Sequence, residues 1–194
     1  MLIVLTGKTA SGKDTIKNKL LGKYPALKRV ITTTSRFPRH GEKDGIDYNF
    51  LTREEFLKKV KNDDFAEYVE YGGNLYGTYK TELEQALKVD TLWRIDPSRA
   101  GEVREFIKRS FPSEKAENLL KTVLVIYVTV SDDIVLQRLK NRGLAEMEIQ
   151  KRMEDDAKIW DQYKESYDFV VENASGKLDE AVDKIINVID SQKS

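Results

Sequence analysis

A glycine-rich stretch near the start of the chain constrains its fold more than any other feature. The stretch is Gly7-Lys8-Thr9-Ala10-Ser11-Gly12-Lys13-Asp14-Thr15, which fits the pattern G-x-x-x-x-G-K. It follows an apolar run, residues 2–5, and precedes a pattern typical of a helix. A strand, a glycine loop and a helix in this order are the context that a phosphate-binding loop needs.

The residue types of this stretch suit a polyphosphate. Gly7 and Gly12 let the backbone approach the anion closely, because they carry no Cβ. The loop amides and the helix N-terminus would face the phosphates, and Lys13 would reach the outer ones as a mobile cation. A glycine turn that opens an ordinary helix is the alternative interpretation. The strand and helix on either side favour binding of nucleotide phosphates by residues 7–15.

The residue after the loop lysine departs from the usual pattern. Ser or Thr normally stands there and offers a hydroxyl to Mg²⁺, whereas this chain has Asp14, followed by Thr15. Three interpretations are open. Asp14 binds the metal through its carboxylate, directly or through water, or Thr15 takes its place as the ligand. Otherwise Asp14 is an acidic residue of the first helical turn, stabilised by the helix dipole.

The composition excludes several kinds of site and partner. The chain of 194 residues has no cysteine and one histidine, His40, so disulfides, thiol chemistry and His-rich metal sites are excluded. Its formal net charge is zero, which gives no bulk attraction to nucleic acid or to an anionic membrane. The chain shows neither the layout of a signal peptide nor an apolar run of membrane-spanning length. We therefore expect a soluble cytoplasmic protein of one domain.

Strand and helix patterns alternate along the chain and predict an α/β fold with a parallel sheet flanked by helices. The core strands are expected at residues 4–6, 28–34, 91–96, 123–130 and 169–171. The first helix is expected from Ser11 to Leu21. A long, charged helix is predicted for residues 145–163, with Met153, Ala157 and Trp160 on one face.

The middle of the first half predicts a separate lobe. Capping boxes at Thr52–Glu55 and at Thr81–Glu84 predict two helix starts. Between them, residues 65–71 and 75–79 are typical of strands, and the turn Gly72-Gly73-Asn74 predicts that they form a hairpin. Residues 46–79 are therefore interpreted as a small, mostly antiparallel lobe inserted into the α/β domain.

At this point the chain resembles the guanylate kinase family. The resemblance covers most of the chain and is strongest from Gly7 to Asp96. Besides the glycine loop, its elements are Thr33-Thr34-Ser35-Arg36 with Pro38-Arg39-His40-Gly41-Glu42, Asp47-Tyr48-Asn49-Phe50, Phe65-Ala66-Glu67-Tyr68, Tyr76-Gly77-Thr78 and Ile95-Asp96. Because these elements occur in order and at compatible spacings, the signal is far more specific than the glycine loop alone.

The resemblance implies a binding site for an acceptor nucleotide. Arg36 and Arg39 would bind its monophosphate, since the planar fork of arginine matches phosphate oxygens. Tyr48 and Tyr76 would add hydroxyl donors, and Thr32 would line the same pocket. Solvated surface charge is the alternative interpretation for Arg36, Arg39 and Glu67, each taken singly.

The resemblance also implies that the base of the acceptor is guanine. Glu67 would accept hydrogen bonds from the N1–H and the N2 amine of guanine. Thr78 would donate to O6, and Asp96 would assist with the amine. An acid beside a hydroxyl complements the edge of guanine and mismatches that of adenine.

In the second half the resemblance implies a helical lid, residues 142–164. Arg142 and Arg152 match the two lid arginines that close over the donor phosphates, and Arg138, one turn earlier, could share the role. Ordinary helix-surface charge is the alternative interpretation. Lys13, Arg39, Arg142 and Arg152 would together neutralise the charge that develops during transfer.

Three departures identify a divergent member. Pro97-Ser98-Arg99-Ala100 stands where the family has a pattern that ends in glycine, and the segment from 97 to 122 is longer than in typical members. Val128-Thr129-Val130-Ser131 replaces a pair of prolines.

The resemblance implies a P-loop nucleoside monophosphate kinase. Its core would comprise residues 1–34, 80–141 and 165–194, with the acceptor-binding lobe at residues 35–79 and the lid at residues 142–164. The expected reaction is phosphorylation of GMP or dGMP by ATP, with Mg²⁺ as cofactor and small-molecule nucleotides as partners of a monomer or homodimer. The alternatives are a kinase of the same framework with another acceptor, such as a different nucleoside monophosphate or a ribose phosphate, and a non-catalytic binding module.

Overall fold

A computed structural model describes residues 1–193 of the chain, with the side chain of Tyr71 left aside. The strands that it contains are β1 (Leu2–Gly7), β2 (Lys28–Arg29), β3 (Thr33–Thr34), β4 (Asn49–Phe50), β5 (Phe65–Tyr71), β6 (Asn74–Tyr79), β7 (Thr91–Arg94), β8 (Val123–Thr129) and β9 (Phe169–Glu172). Its α-helices are α1 (Lys13–Lys23), α2 (Arg53–Lys61), α3 (Lys80–Glu84), α4 (Pro97–Gly101), α5 (Val103–Ser110), α6 (Ser113–Leu120), α7 (Asp132–Asn141), α8 (Glu146–Tyr163) and α9 (Leu178–Ser191).

Five strands form one sheet in the order β2-β7-β1-β8-β9. Strands β2 and β7 are parallel, as are β8 and β9. The amide of Leu2 donates to Thr122 O and that of Lys8 to Val128 O, so β1 and β8 also run in the same direction. All six residues of β1 are buried, which is typical of a parallel strand with both faces covered. The predicted α/β fold with a parallel sheet and flanking helices is confirmed.

The remaining strands form a second, mostly antiparallel sheet in the order β4-β3-β6-β5. Strands β5 and β6 make the predicted hairpin, and β6 also pairs antiparallel with β3. The predicted capping box of α2 is confirmed, with Thr52 accepting from the Glu55 amide. Helix α2 places Phe56 in a hydrophobic cluster with Phe65 and Leu75.

A bulge in β5 sets which face of the second sheet each side chain occupies. Phe65 is opposite Tyr79 while Glu67 is opposite Thr78, so the register shifts by one residue between them. In a regular strand, residues two apart share a face. The extra residue instead lets Phe65 enter the hydrophobic cluster while Glu67 pairs with Thr78 on the other face.

Two predictions for the region from residue 28 to residue 84 are wrong. The strand predicted from 28 to 34 is two strands, because β2 pairs with β7 in the first sheet and β3 pairs with β6 in the second. The crossing residue Ile31 donates its amide to Glu82 Oε2 at 3.0 Å, which satisfies a backbone group that has left one sheet before joining the next. The capping box predicted at Thr81 is absent, because β6 runs directly into α3 and the N-cap is Tyr79.

The chain divides into two compact units. The first comprises Met1–Leu2, Ala26–Trp93 and Val103–Val123, and the second comprises Ile3–Pro25, Arg94–Glu102 and Leu124–Ser194. The predicted lobe, residues 35–79, falls within the first unit, and the predicted lid, residues 142–164, falls within the second. The assignment of core, lobe and lid stays a prediction. Across the part of the chain that the structure describes, every helix is too short or too polar to span a bilayer.

Candidate active site

The glycine loop joins β1 to α1, as predicted, although α1 begins at Lys13 rather than at Ser11. Gly7 has φ 152°, and a Cβ there would lie 2.2 Å from Val128 O. Gly12 has φ 86°, and a Cβ there would lie 2.6 Å from Asn173 Nδ2. At Gly7 the close atoms belong to the backbone of Val128 and cannot give way, so glycine is required. At Gly12 the positive φ favours glycine, and a Cβ would also displace the Asn173 side chain.

Groups from distant parts of the second unit hold the loop in place. Asn173 Nδ2 donates to Ser11 O at 2.7 Å, and Arg138 Nη1 donates to Ala10 O at 2.7 Å. The side chain of Ala10 packs in the hydrophobic cluster that also contains Leu139 and Ile149. The backbone of the loop is therefore positioned by α7, α8 and the residue that follows β9.

Lys13 is a half-buried cation at the centre of this arrangement. Its Nζ donates to Lys8 O at 3.1 Å, across the loop. Burial lowers the pKa of Lys13 to about 8, and the charge of Arg94 adds to this against the opposing carboxylates of Asp14, Asp156 and Asp96. Because burial disfavours the charged form of Lys13, an anion that binds beside it stabilises that form. Lys8, by contrast, is paired with Asp132 and Val130 O.

Asp14 is engaged by an arginine. Its Oδ2 accepts from Arg94 Nη2 at 3.3 Å, and its Oδ1 lies 3.2 Å from Arg94 Nε. Burial acts to raise the pKa of Asp14, but Arg94 and Lys17 outweigh it, so the net shift is downward. In the described part of the chain, three or more His, Asp or Glu side chains nowhere come together as a metal cluster. A guanidinium beside Asp14 opposes the binding of a metal cation by that carboxylate. Nothing in the structure tests Asp14 and Thr15 as ligands of Mg²⁺, so this assignment stays a prediction.

Asp156 of α8 is a buried carboxylate beside the loop that the sequence analysis missed. Only 8% of it is exposed, and its Oδ2 accepts from the Thr9 amide at 2.8 Å. Its neighbour Ala157, predicted to share a face with Met153 and Trp160, is exposed, so Asp156 is the more buried of the two. The spacing of Ile149, Met153, Asp156 and Trp160 is helical and could have indicated the true face.

A pocket of about 210 Å³ adjoins the loop in the second unit. Arg138 and Arg142 line it, together with Gly12, Thr15 and Asn173. Arg152 is not among its lining residues and instead donates to Glu148 Oε1 at 2.8 Å, one turn away on α8. The structure thus brings Arg138 and Arg142 to the loop pocket, and places Arg152 in an ion pair along its own helix.

Ser11 Oγ and Asn173 Oδ1, beside the loop, are among the buried polar atoms that have no hydrogen-bond partner in the described part of the chain. Because buried polar atoms are nearly always hydrogen-bonded, orphaned ones require an explanation. Their position at the loop fits a site that receives a polar ligand.

In the first unit, Arg36, Tyr48 and Tyr76 lie together. The Arg36 guanidinium is 5.3 Å from the centroid of the Tyr48 ring, and the Tyr48 and Tyr76 rings are 6.4 Å apart. Glu42 holds Arg36 through two hydrogen bonds of 2.9 and 3.0 Å and also accepts from the Arg39 amide. These hydrogen bonds lower the pKa of Glu42 to about 2. The side chain of Arg39 itself is exposed.

Glu67 and Thr78 form a buried polar pair in the same unit. Glu67 is 5% exposed and Thr78 is fully buried, and Thr78 Oγ1 donates to Glu67 Oε1 at 2.9 Å. Since the hydroxyl has a single proton, Thr78 in this state orients Glu67 rather than offering a donor to a ligand. Thr32 is half-buried, with its carbonyl accepting from the Asn49 amide.

Asp96 belongs to the second unit and has a local structural use. It is the N-cap of α4, and its Oδ1 accepts from the Ser98 amide at 3.0 Å and from Ser98 Oγ at 2.7 Å. Its predicted contact with the guanine amine stays a prediction.

Comparison with known proteins converges on one family. The family model described as guanylate kinase matches residues 1–192. The curated guanylate kinase of Fusobacterium nucleatum is 34% identical over 98% of this chain and 96% of its own length. That of Desulfitobacterium hafniense is 36% identical over 100% of this chain and 90% of its own length.

Solved structures give the same relationship. The crystal structure of guanylate kinase from Anaplasma phagocytophilum aligns with a TM-score of 0.69 at 26% identity, covering 99% of this chain and 85% of that chain. A shikimate kinase from Acinetobacter baumannii, 18% identical with a TM-score of 0.50, shares the fold alone.

Proposed function

The chain belongs to the guanylate kinase family, and we propose that it transfers the terminal phosphoryl group of ATP to GMP, giving ADP and GDP. The observation that carries the choice of acceptor is the buried pair of Glu67 and Thr78. Guanine offers two donors, N1–H and the N2 amine, to a carboxylate, whereas adenine brings an unprotonated N1 and an acceptor would then face the buried carboxylate. Because dGMP presents the same base edge, it is an equally suitable acceptor on this ground.

On the donor side, residues 7–15 bind the phosphates of ATP through loop amides and Lys13. The low pKa of Lys13 and the two orphaned polar atoms at the loop support this assignment. The pocket lined by Arg138 and Arg142 adjoins Gly12 and is open to the remainder of the donor nucleotide. Arg142 and Arg152 act on the donor phosphates, and Arg152 must leave Glu148 to do so.

On the acceptor side, Arg36 and Arg39 bind the monophosphate, with Tyr48 and Tyr76 as further donors and Thr32 at the edge. The Arg36 ion pair with Glu42 supports this role, since a guanidinium held before the ligand arrives loses less conformational freedom on binding. Asp96 assists with the guanine amine.

The chemical step is a direct displacement. A phosphate oxygen of GMP attacks the γ-phosphorus of ATP, and the bond from that phosphorus to the β,γ-bridging oxygen breaks. No general base is required, because the attacking group is already an anionic oxygen. Catalysis consists of placing both nucleotides in line and neutralising charge on the transferred group, through Lys13, Arg39, Arg142 and Arg152.

Mg²⁺ is proposed to enter with the donor, bound to its phosphate oxygens, which are the hard ligands that this ion prefers. A cytoplasmic location and a monomeric or homodimeric state complete the proposal.

A panel of acceptors tests the proposed reaction. ADP release is measured with ATP and either GMP, dGMP, AMP, CMP, UMP or ribose 5-phosphate. GMP or dGMP is expected to give the highest kcat/KM. A different preferred acceptor would support another kinase of this framework, and absence of turnover with every acceptor would support a binding module.

The pKa of Lys13 gives a pH dependence for donor binding. In the protein without ATP, the pKa of Lys13 is lowered to about 8. Bound phosphates raise this pKa, so above pH 8 the binding of ATP is accompanied by the uptake of a proton at Lys13. The Kd for ATP is expected to weaken about tenfold between pH 7 and pH 9, because the protonated fraction of Lys13 falls by about that factor.

Calorimetry in buffers with different ionisation enthalpies checks this directly, since proton uptake at pH 8.5 appears as a buffer-dependent heat. The Lys13→Arg variant is the control, because its guanidinium does not titrate in this range. A wild-type Kd that is constant from pH 7 to pH 9 would contradict the assignment.

A further inference from the structure

Arg94 lies beside the helix start that follows the glycine loop. It is the last residue of β7, and the amide of the next residue, Ile95, donates to Leu5 O at 3.3 Å. The end of β7 therefore lies beside β1, from which the glycine loop emerges. Arg94 reaches Asp14, the residue that follows the loop lysine, through two atom pairs at 3.2 and 3.3 Å.

The residues at this place differ from the groups that phosphate-binding loops usually supply to Mg²⁺. Those loops offer a Ser or Thr hydroxyl after the lysine, together with an aspartate from a neighbouring strand. Here the hydroxyl position is Asp14, and a strand end beside the loop carries Arg94. A fixed cation next to Asp14 repels a second cation, so the charge arrangement opposes a protein-held metal at this place.

The same cation is close to the loop lysine. Among the charges near Lys13, that of Arg94 lowers its pKa, so two cations lie close together at the glycine loop. About a third of the Arg94 side chain, 37%, is exposed, so an incoming anion can reach it. A guanidinium has five N–H groups, enough to retain Asp14 and to bind phosphate oxygens through its planar fork.

We propose that Arg94 binds the β- and γ-phosphate oxygens of the donor and supplies the positive charge that such loops ordinarily take from a protein-held Mg²⁺, with Asp14 as the residue that positions it. This inference rests on the proposed use of ATP as donor. It separates this chain from loops that hold their metal by a hydroxyl and an aspartate, because the cation here is part of the protein.

The experiment compares ATP binding with and without metal. Calorimetric titration of the full chain with ATP in excess EDTA, and with ATP in excess MgCl₂, gives two dissociation constants and their ratio. For the wild-type protein the two constants are expected to agree within about threefold. For Arg94→Ala, the constant for metal-free ATP is expected to weaken at least about tenfold more than that for MgATP, because the missing charge is then supplied only by the metal.

Arg99→Ala is the matched control. Arg99 forms a comparable ion pair with Glu102 at 3.1 Å in the same unit, and its removal is expected to leave the ratio unchanged. Arg94→Gln retains much of the side-chain volume and is expected to change the ratio as Arg94→Ala does. It replaces the alanine variant if circular dichroism shows that the latter folds poorly.

The outcomes are distinct. The inference is overturned if the ratio of the two dissociation constants in both Arg94 variants stays within about twofold of the wild-type ratio. It is also overturned if the variants lose the same affinity for ATP with and without Mg²⁺. Either result leaves ATP as the donor. A wild-type protein that binds neither form of ATP overturns the proposed function itself.

Discussion

Replacement of Lys13 by methionine is expected to lower kcat/KM by about 10³-fold or more, because the cation that meets the outer phosphates is lost. The same change is expected to raise the stability of the free protein near neutral pH. Charging a lysine whose pKa is lowered to about 8 costs free energy that methionine does not incur, on the order of 1–3 kcal/mol. Steady-state kinetics and urea unfolding at pH 7 measure the two effects.

The sign of the pH dependence follows from the same pKa. Between pH 8 and the unfolded-state value of 10.5, the unfolded chain binds more protons at Lys13 than the folded chain, so wild-type stability gains a contribution that rises with pH across this window. Lys13→Met lacks that contribution.

Lys19→Met is the control for the lysine variant. Lys19 lies on the same helix, α1, and forms an exposed ion pair with Asp179, so its replacement is expected to leave kcat/KM unchanged. Normal turnover by a folded Lys13→Met protein would remove the glycine loop from the catalytic machinery.

Replacement of Glu67 by glutamine is expected to lower kcat/KM for GMP by about 10²-fold, while that for AMP falls less or rises. The amide fits the same space, but it loses the charge that pairs with two guanine donors. Its NH₂ group can instead face the unprotonated N1 of adenine. The preference of the wild-type enzyme for GMP over AMP, expected to be about 10³-fold, would therefore shrink to about tenfold. Kinetics with both acceptors give the ratio.

Glu70→Gln provides a control on the same strand. Glu70 is exposed and paired with Arg53 at 3.0 Å, so its replacement is expected to change neither the kcat/KM for GMP nor that for AMP. If Glu67→Gln keeps the wild-type ratio, the base is read elsewhere. A wild-type enzyme that prefers AMP or a pyrimidine monophosphate would reject the guanine assignment, but it would leave Lys13, Arg36 and Arg39 as readers of phosphate.

Local patterns predicted the parts of the fold that local physics determines. The strand, loop and helix at residues 2–23, the capping box at Thr52 and the hairpin of β5 and β6 each depend on residues that are close in sequence. The change of sheet within residues 28–34 could not be predicted in this way, because it depends on partners in β6 and β7. At Thr81 the local signal for a helix start was overridden by the strand that runs into α3.

The candidate site also contains residues that the sequence predicts and contacts that it does not. Glu67 and Thr78 were predicted from the resemblance, but the bulge that turns them to one face is invisible to a period-two pattern. The pairs Arg94 with Asp14 and Asp156 with Thr9 join residues that are 80 and 147 positions apart. Contacts of that range leave no trace in hydrophobic periodicity, so a charged residue in a helix or strand looks like surface until its partner is known.

The hydrogen bond from the Thr9 amide to Asp156 has a mechanical consequence. Arg152 lies four residues before Asp156 on α8, about 6 Å along the helix axis, and on the same side. Glu148 lies on the same helix, so Arg152 leaves it by a change of its own side-chain conformation. A displacement of the whole helix carries both residues together and pulls on the bond at Thr9. The glycine loop thus holds α8 at a point within the helix, and movement of the helix that would carry Arg152 is limited to a pivot about that point.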